Sequence, residues 1–376
     1  MPRPQIAPGG KKSFFPPLPN SLRARALPRA GRPAGRPARV PTALGPLLGA
    51  LAALFFFSGS LAAQEKEVIV YSAQGATTAV LPLWGVLRAG WPEGRDVSVR
   101  EWKNLDDLRA LILAGKGDVW AGHVETLARA ASRGAPVSLV MVTARKKFYF
   151  LSVKLPLGEN SPPEWPKDLA TLASYLEKKG LPLSGAPRNG PAAGILESWP
   201  SLGGPRFKFE GLPPTQALLG LARGQSVAAL LPEPLATVAL SQNPSLAVIA
   251  NLEEETGRLT GAPPRLPQAG IAVNANFARE SPEAVSSLAA LLRQEAARLA
   301  ALSPAEAIAF LPPETIRDLG RENIVASLSR DPIGALDPWE IREEIEFFIC
   351  LSAPDICSQG ALPPSFPPSF IWAPPR

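Results

Sequence analysis

From residue 68 onward the apolar positions switch between two periods. A short apolar run, VIVYS (68–72), gives way to TTAVLPLWGVLRAG (77–90), where apolar residues recur at helical spacing and the segment ends on glycine. DVSVREW (96–102) leads in the same way into LDDLRALILAGKG (105–117), and DVWAGH (118–123) into VETLARAASRGA (124–135). VSLVMVTA (137–144) closes the run. Strands alternating with helices of this length predict βαβ units and an α/β fold with mostly parallel sheets flanked by helices. Such sheets bind ligands at the carboxyl ends of their strands. That points to 72–78, 122–125 and 143–146.

A second layer of the same kind follows. FYFLSVKL (148–155) precedes a Pro-rich break at 158–168 and a helix over 169–180. LPLSGAP (181–187) reads as a weak strand, RNGPAAGILESW (188–199) as a loop opening a helix, and FKFEGL (207–212) as a strand. A helix over 214–225, a strand over 227–234, a helix over 235–242 and a strand over 246–252 complete the layer. After a turn-rich segment (257–268), AGIAVNANF (269–277) is a strand. Helices are expected over 281–302, 303–311, 313–320 and 338–349. Ser281 before Pro282 and Glu283, and Ser303 before Pro304 and Glu306, carry N-cap signatures. From Ala361 the tail is Pro-rich and irregular.

The N-terminus changes the charge picture. Residues 1–39 contain nine Lys or Arg and no acidic residue, and 40–64 are uncharged with an apolar heart at 44–57. A basic arm, an apolar core and a small-residue exit at 60–64 describe a secretory signal peptide rather than a membrane anchor. The whole chain has 39 basic and 33 acidic residues, net +6. Cleavage after Ala63 would remove nine basic and no acidic residues, leaving 30 against 33, net −3. The basic balance thus belongs to the export segment, and a nucleic-acid surface is not expected. Cys350 and Cys357, in an oxidising compartment, are placed to close a local disulfide loop.

Candidate chemistry gathers in three loops. In the first, Gln74 and Gly75 precede Thr77 and Thr78, either of which could cap the next helix. Backbone N–H groups there would hold an anion. In the second, Arg188 and Asn189 precede Gly190 and Pro191, with Pro191 suited to a first helical turn. Facing the first loop, Arg188 would grip a sulfonate, carboxylate or similar oxoanion. The third holds Glu233 between Pro232 and Pro234, which fix the backbone and present the carboxylate at the domain mouth. His123, the single histidine, ends the third strand without a nucleophile or second carboxylate beside it, so no catalytic set is expected; it is a candidate ligand contact or else a structural residue. No metal site or cofactor is expected either.

Three segments resemble a known family. LRALILAGKGDVWAGHVETLARAASRGAPVSLVMVT (108–143), PTQALLGLARGQSVAALLPEPLATVAL (214–240) and AGIAVNANFARESPEAV (269–285) are similar, in order, to segments of substrate-binding proteins of nitrate, sulfonate and taurine ABC importers. The Glu233-Pro234 element is the most specific piece. The resemblance implies a two-lobed type II periplasmic-binding-protein fold with the ligand clamped in the cleft. Lobe 1 would be 66–147 plus 270–350, lobe 2 148–269, and 351–376 a Pro-rich tail. The chain would cross between lobes near 146–152 and 268–274. Contacts carried over are Gln74, Gly75, Thr143, Asn189 and Glu233. The stretch 166–187 departs from the family pattern, which leaves the ligand class open. The implied role is an exported, periplasmic, monomeric protein delivering a small molecule to an ABC permease. Alternatives are an enzyme on the same fold, of the menaquinone-pathway or pyrimidine-forming type, and an exported sensor without a transport role.

Overall fold

The computed structural model describes residues 67–73, 78–158, 161–358 and 360–374. The expected signal peptide therefore lies outside the described residues, as do Gln74, Gly75 and Thr77.

The first lobe is built on β1 (Val68–Ala73), α1 (Leu81–Ala89), β2 (Val97–Trp102), α2 (Leu105–Leu113), β3 (Val119–His123), α3 (Val124–Ser132) and β4 (Val137–Ala144). The second holds β5 (Phe148–Ser152), α4 (Leu169–Lys179), β6 (Ser184–Gly185), α5 (Pro191–Ser198), α6 (Pro214–Ala222), β7 (Ala228–Pro232), α7 (Leu235–Gln242), β8 (Ala247–Asn251) and α8 (Leu252–Thr260). Strand β9 (Ala269–Asn274) returns to the first sheet, followed by α9 (Ala275–Glu280) and α10 (Pro282–Ala301). Four shorter or later helices complete the chain: α11 (Pro304–Ala307), α12 (Pro313–Leu319), α13 (Arg321–Ser327) and α14 (Arg342–Ser352).

The sheet orders are β2-β1-β3-β9-β4 and β6-β7-β5-β8. In each sheet one strand runs against the rest: β9 lies antiparallel between β3 and β4, and β5 antiparallel between β7 and β8. These two strands enter by crossing from the other lobe instead of through a βα unit, so the helix-crossover geometry that enforces parallel pairing does not act on them.

Several local expectations changed. FKFEGL forms a single bridge between Phe209 and Leu183 instead of a strand. Its chain turns away at Gly211, whose φ of 72° is the left-handed region. Ser281 precedes α10 but makes no capping bond, because its hydroxyl accepts from Arg95 at 3.2 Å. Ser303 does cap, with Glu306 closing a capping box. The helix expected from 338 begins at Arg342, and α13 was not foreseen.

One hydrophobic cluster runs from the first lobe (Leu108, Trp120, Leu127) through the second (Phe150, Leu172, Trp199) and takes in Phe348, Ile349 and Leu351 of α14. Helix α14 packs on both α3 and α5, so it splints the two lobes along one side. The approach to α5 is close because residue 194 is glycine: a Cβ there would stand 1.9 Å from the Ser352 carbonyl oxygen. A Cys350–Cys357 disulfide closes the turn after α14, and the tail is pinned to β4 by a Leu139–Ile371 bridge.

Candidate functional site

The carboxyl ends of β1, β3 and β4 form one row. Parallel pairing sets Tyr71 beside Trp120, which brings Ser72 level with Ala121, two residues before the end of β3. His123 pairs with Ala269, and Ala269 with Ala144. Thr143 falls at a bulge in the β4–β9 ladder, which re-aims its side chain. Ala79, Ala144 and Ala269 pack together over this row; their small side chains let the turn before α1 lie directly on the sheet.

Along this row, buried polar atoms lack partners. Ser72 Oγ, Thr143 Oγ1 and His123 Nδ1 make no hydrogen bond, although Ser72 and Thr143 are 1% and 4% exposed. Burial, and then the positive charge of Lys147, hold the His123 pKa down at about 4. Its ring is therefore neutral at pH 7. An unsatisfied buried polar group costs about 1–3 kcal/mol, so a row of them calls for an explanation.

The crossings lie where β4 hands over to β5 and where 266–268 lead into β9. Both are tied to one carboxylate. Glu253, fully buried in α8, accepts from Lys147 N (3.0 Å), Phe148 N (3.3 Å) and Gln268 Nε2 (2.9 Å). Gln268 N in turn donates to Ala144 O at 2.9 Å, and Val124 N donates to Gln268 O at 3.1 Å. Burial pushes the Glu253 carboxyl up to about 7, despite three donors that favour its ionised form. Gln268 Oε1 has no partner.

Glu233 faces this hinge from the second lobe. It ends β7 through a cis bond to Pro234 and is 0% exposed. Its N–H donates to Lys147 O at 2.9 Å. Its Oε2 accepts from Thr237 Oγ1 at 2.8 Å and Thr237 N at 3.2 Å, which caps the start of α7. Oε1 makes no hydrogen bond, with Arg330 Nη1 3.5 Å away. Burial raises the Glu233 carboxyl above its ordinary range, against the Thr237 hydrogen bonds and Arg330.

The remaining expected residues sit differently. Arg188 and Asn189 are exposed on the loop before α5, and the Arg188 side chain lies over Gly211 of its own lobe. Asn189 does reach across, through its carbonyl, which accepts from Arg109 of α2. Gly190 occupies the N-cap of α5 with Pro191 next. Thr78 does not cap α1; its hydroxyl donates to Asp331. Among the described residues, no group of three or more His, Cys, Asp or Glu could hold a metal ion.

Sequence reasoning missed Lys147, Glu253, Gln268, Arg109, Arg330 and Asp331. Lys147 had a signal, as the last residue of the basic triplet following β4. Arg330 and Asp331 had none, because their partners lie far away in the chain.

No family model and no curated protein matches the chain. Solved structures do. An ABC transporter protein from Parabacteroides distasonis is 18% identical, covering 80% of this chain and 98% of its own, with a TM-score of 0.59. The periplasmic aliphatic sulphonate binding protein SsuA of Escherichia coli is 17% identical, covering 77% and 91%, with a TM-score of 0.58. The periplasmic nitrate-binding protein NrtA of Synechocystis is 14% identical, covering 69% of each chain, with a TM-score of 0.53. The chain thus has the two-lobed fold of periplasmic binding proteins.

Proposed function

We propose that this chain is an exported solute-binding protein that captures a small, oxoanion-bearing molecule between its lobes and delivers it to an ABC permease. The observation that carries this reading is the set of buried atoms without a hydrogen bond where the lobes meet: Ser72 Oγ, His123 Nδ1 and Thr143 Oγ1 in one lobe, Gln268 Oε1 at the hinge, and Glu233 Oε1, which has only an ion pair with Arg330, in the other. A ligand spanning the cleft would satisfy both sides at once, and contacts in both lobes are what bias a hinge toward closure.

The two sides suit different ends of a ligand. Hydroxyl donors at Ser72 and Thr143 would take the oxoanion, together with Gln74, Gly75 and Thr77. Arg188 and Asn189 would close over it from the second lobe. Glu233 accepts only, so it would take an amine, amide or hydroxyl donor of the same molecule. Lobes built as 66–147 plus 270–350 and 148–269, with a tail over 351–376, fit this arrangement, as do a monomer and a periplasmic site reached through the N-terminal 63 residues. The resemblance to importer binding proteins supports the permease partner, because the matched structures include components of such systems.

A thermal-shift screen with sulfonates, nitrate, carboxylates, amino acids, pyrimidines and aromatic acids tests the reading. A ligand at 100 times its dissociation constant adds about 2.7 kcal/mol of stability. One compound should stabilise the protein and be recovered chemically intact. A compound that binds and is consumed would replace binding with catalysis.

A further inference from the structure

The turn after α13 runs between the two lobes, touching Thr78 in one and Thr237 in the other. The chain reaches it from α10 to α13, which are stacked on the first lobe through α1. It returns to the first lobe at Leu336, whose N–H and C=O pair with Val142 at 2.8 and 3.0 Å. Between these anchors, Asp331 is 1% exposed and accepts from Thr78 of the first lobe. Lys147 Nζ of the crossing lies 3.8 Å from the same carboxylate oxygen.

The neighbouring residue points the other way. Arg330 Nη1 donates to Thr237 Oγ1 at 2.9 Å and lies 3.5 Å from Glu233 Oε1, both in the second lobe. The Arg330 carbonyl accepts from Tyr149 Oη at 2.9 Å. Helix α13 also packs against α7. The Asp331 carboxylate is held by the first lobe and the hinge, whereas the Arg330 contacts with Thr237, Glu233 and Tyr149 reach the second lobe and must break for the lobes to part.

We infer that the 328–336 strap is an interlobe latch: Asp331 anchors it to the first lobe, and Arg330 holds the second lobe shut by gripping Thr237 and Glu233. These contacts lie wholly within the chain and need no ligand. The latch also competes with a ligand for Glu233, so its release would accompany ligand entry. The second consequence rests on the reading proposed above; the latch itself does not.

The test uses spin labels on the full chain at Asp106→Cys and Lys208→Cys, exposed positions in opposite lobes. Both native cysteines are in the disulfide, so labelling is specific. Pulsed dipolar distances without added ligand should show a longer-distance population in Arg330→Ala than in the Arg330 parent, and Arg330→Lys should restore part of the short population. Arg330 is a third exposed, so its truncation should leave the circular dichroism spectrum unchanged. Superimposable distance distributions for the parent and Arg330→Ala would overturn the latch whether or not the protein binds any compound. Failure of the ligand screen with an altered distribution would overturn the proposed function and leave the latch standing.

Discussion

The hinge carboxylate gives a prediction whose size and sign follow from burial. Glu253 ties both crossings together, yet burial holds its pKa near 7 against an ordinary 4.5. Below pH 4.5 it is protonated in both folded and unfolded chains, and no penalty arises. Between pH 4.5 and 7 the unfolded chain releases the proton and the folded chain keeps it. Folding therefore loses stability as pH rises through this window, reaching on the order of 3 kcal/mol at neutral pH. Glu253→Gln keeps an acceptor for Lys147 N and Phe148 N but cannot ionise. Urea unfolding of variant and wild type at pH 4.5, 5.5, 6.5 and 7.5 isolates the effect, since other titrations cancel in the difference. The difference should move in favour of the variant by roughly 3 kcal/mol across the series. A flat difference would refute the claim that a buried, proton-retaining carboxylate clamps the hinge. His123 acts in the opposite sense: its pKa near 4 means stability is lost as pH falls from 6.5 toward 4. The two linkages offset each other in wild type, so the variant should also show a stability that climbs with pH below 6.5.

Two further outcomes test the packing around the cleft. Gly194→Ala would drive a Cβ into the Ser352 carbonyl, and should destabilise by about 1–3 kcal/mol in urea unfolding, with α14 the first helix to exchange its amide protons. Replacing both Cys350 and Cys357 by serine opens a loop of sequence separation 7; it should cost about 2 kcal/mol and lower the melting temperature by several degrees, without altering ligand affinity.

Much of the architecture was legible because it is written locally. The alternation of apolar runs with helical spacing located β1 to β4 within a residue or two, and VSLVMVTA matches β4 at both ends. Glu233 was legible as a special position because two prolines flank it, and its hold on Thr237 is local, one helical turn on, whereas its complete burial was not legible. What failed was non-local. Thr78 looks like a helix cap, and only the fold reveals that a carboxylate 253 residues away takes its hydroxyl. Ser281 has a cap's sequence, yet Arg95 reaches it from another element. FKFEGL has strand composition, but its neighbour Leu183 offers one residue of pairing, too little for a ladder.

The central claim is that one small molecule bridges the two lobes at Thr143 and Glu233. Isothermal titration of the most stabilising compound from the screen into wild type, Thr143→Ala and Glu233→Gln tests it most directly. Thr143→Ala removes a hydroxyl from one side of the cleft, and Glu233→Gln trades a charged acceptor for a weaker neutral one on the other, so each should weaken binding roughly tenfold, with melting curves of the unliganded proteins still cooperative. Unchanged affinity in both folded variants would contradict the account.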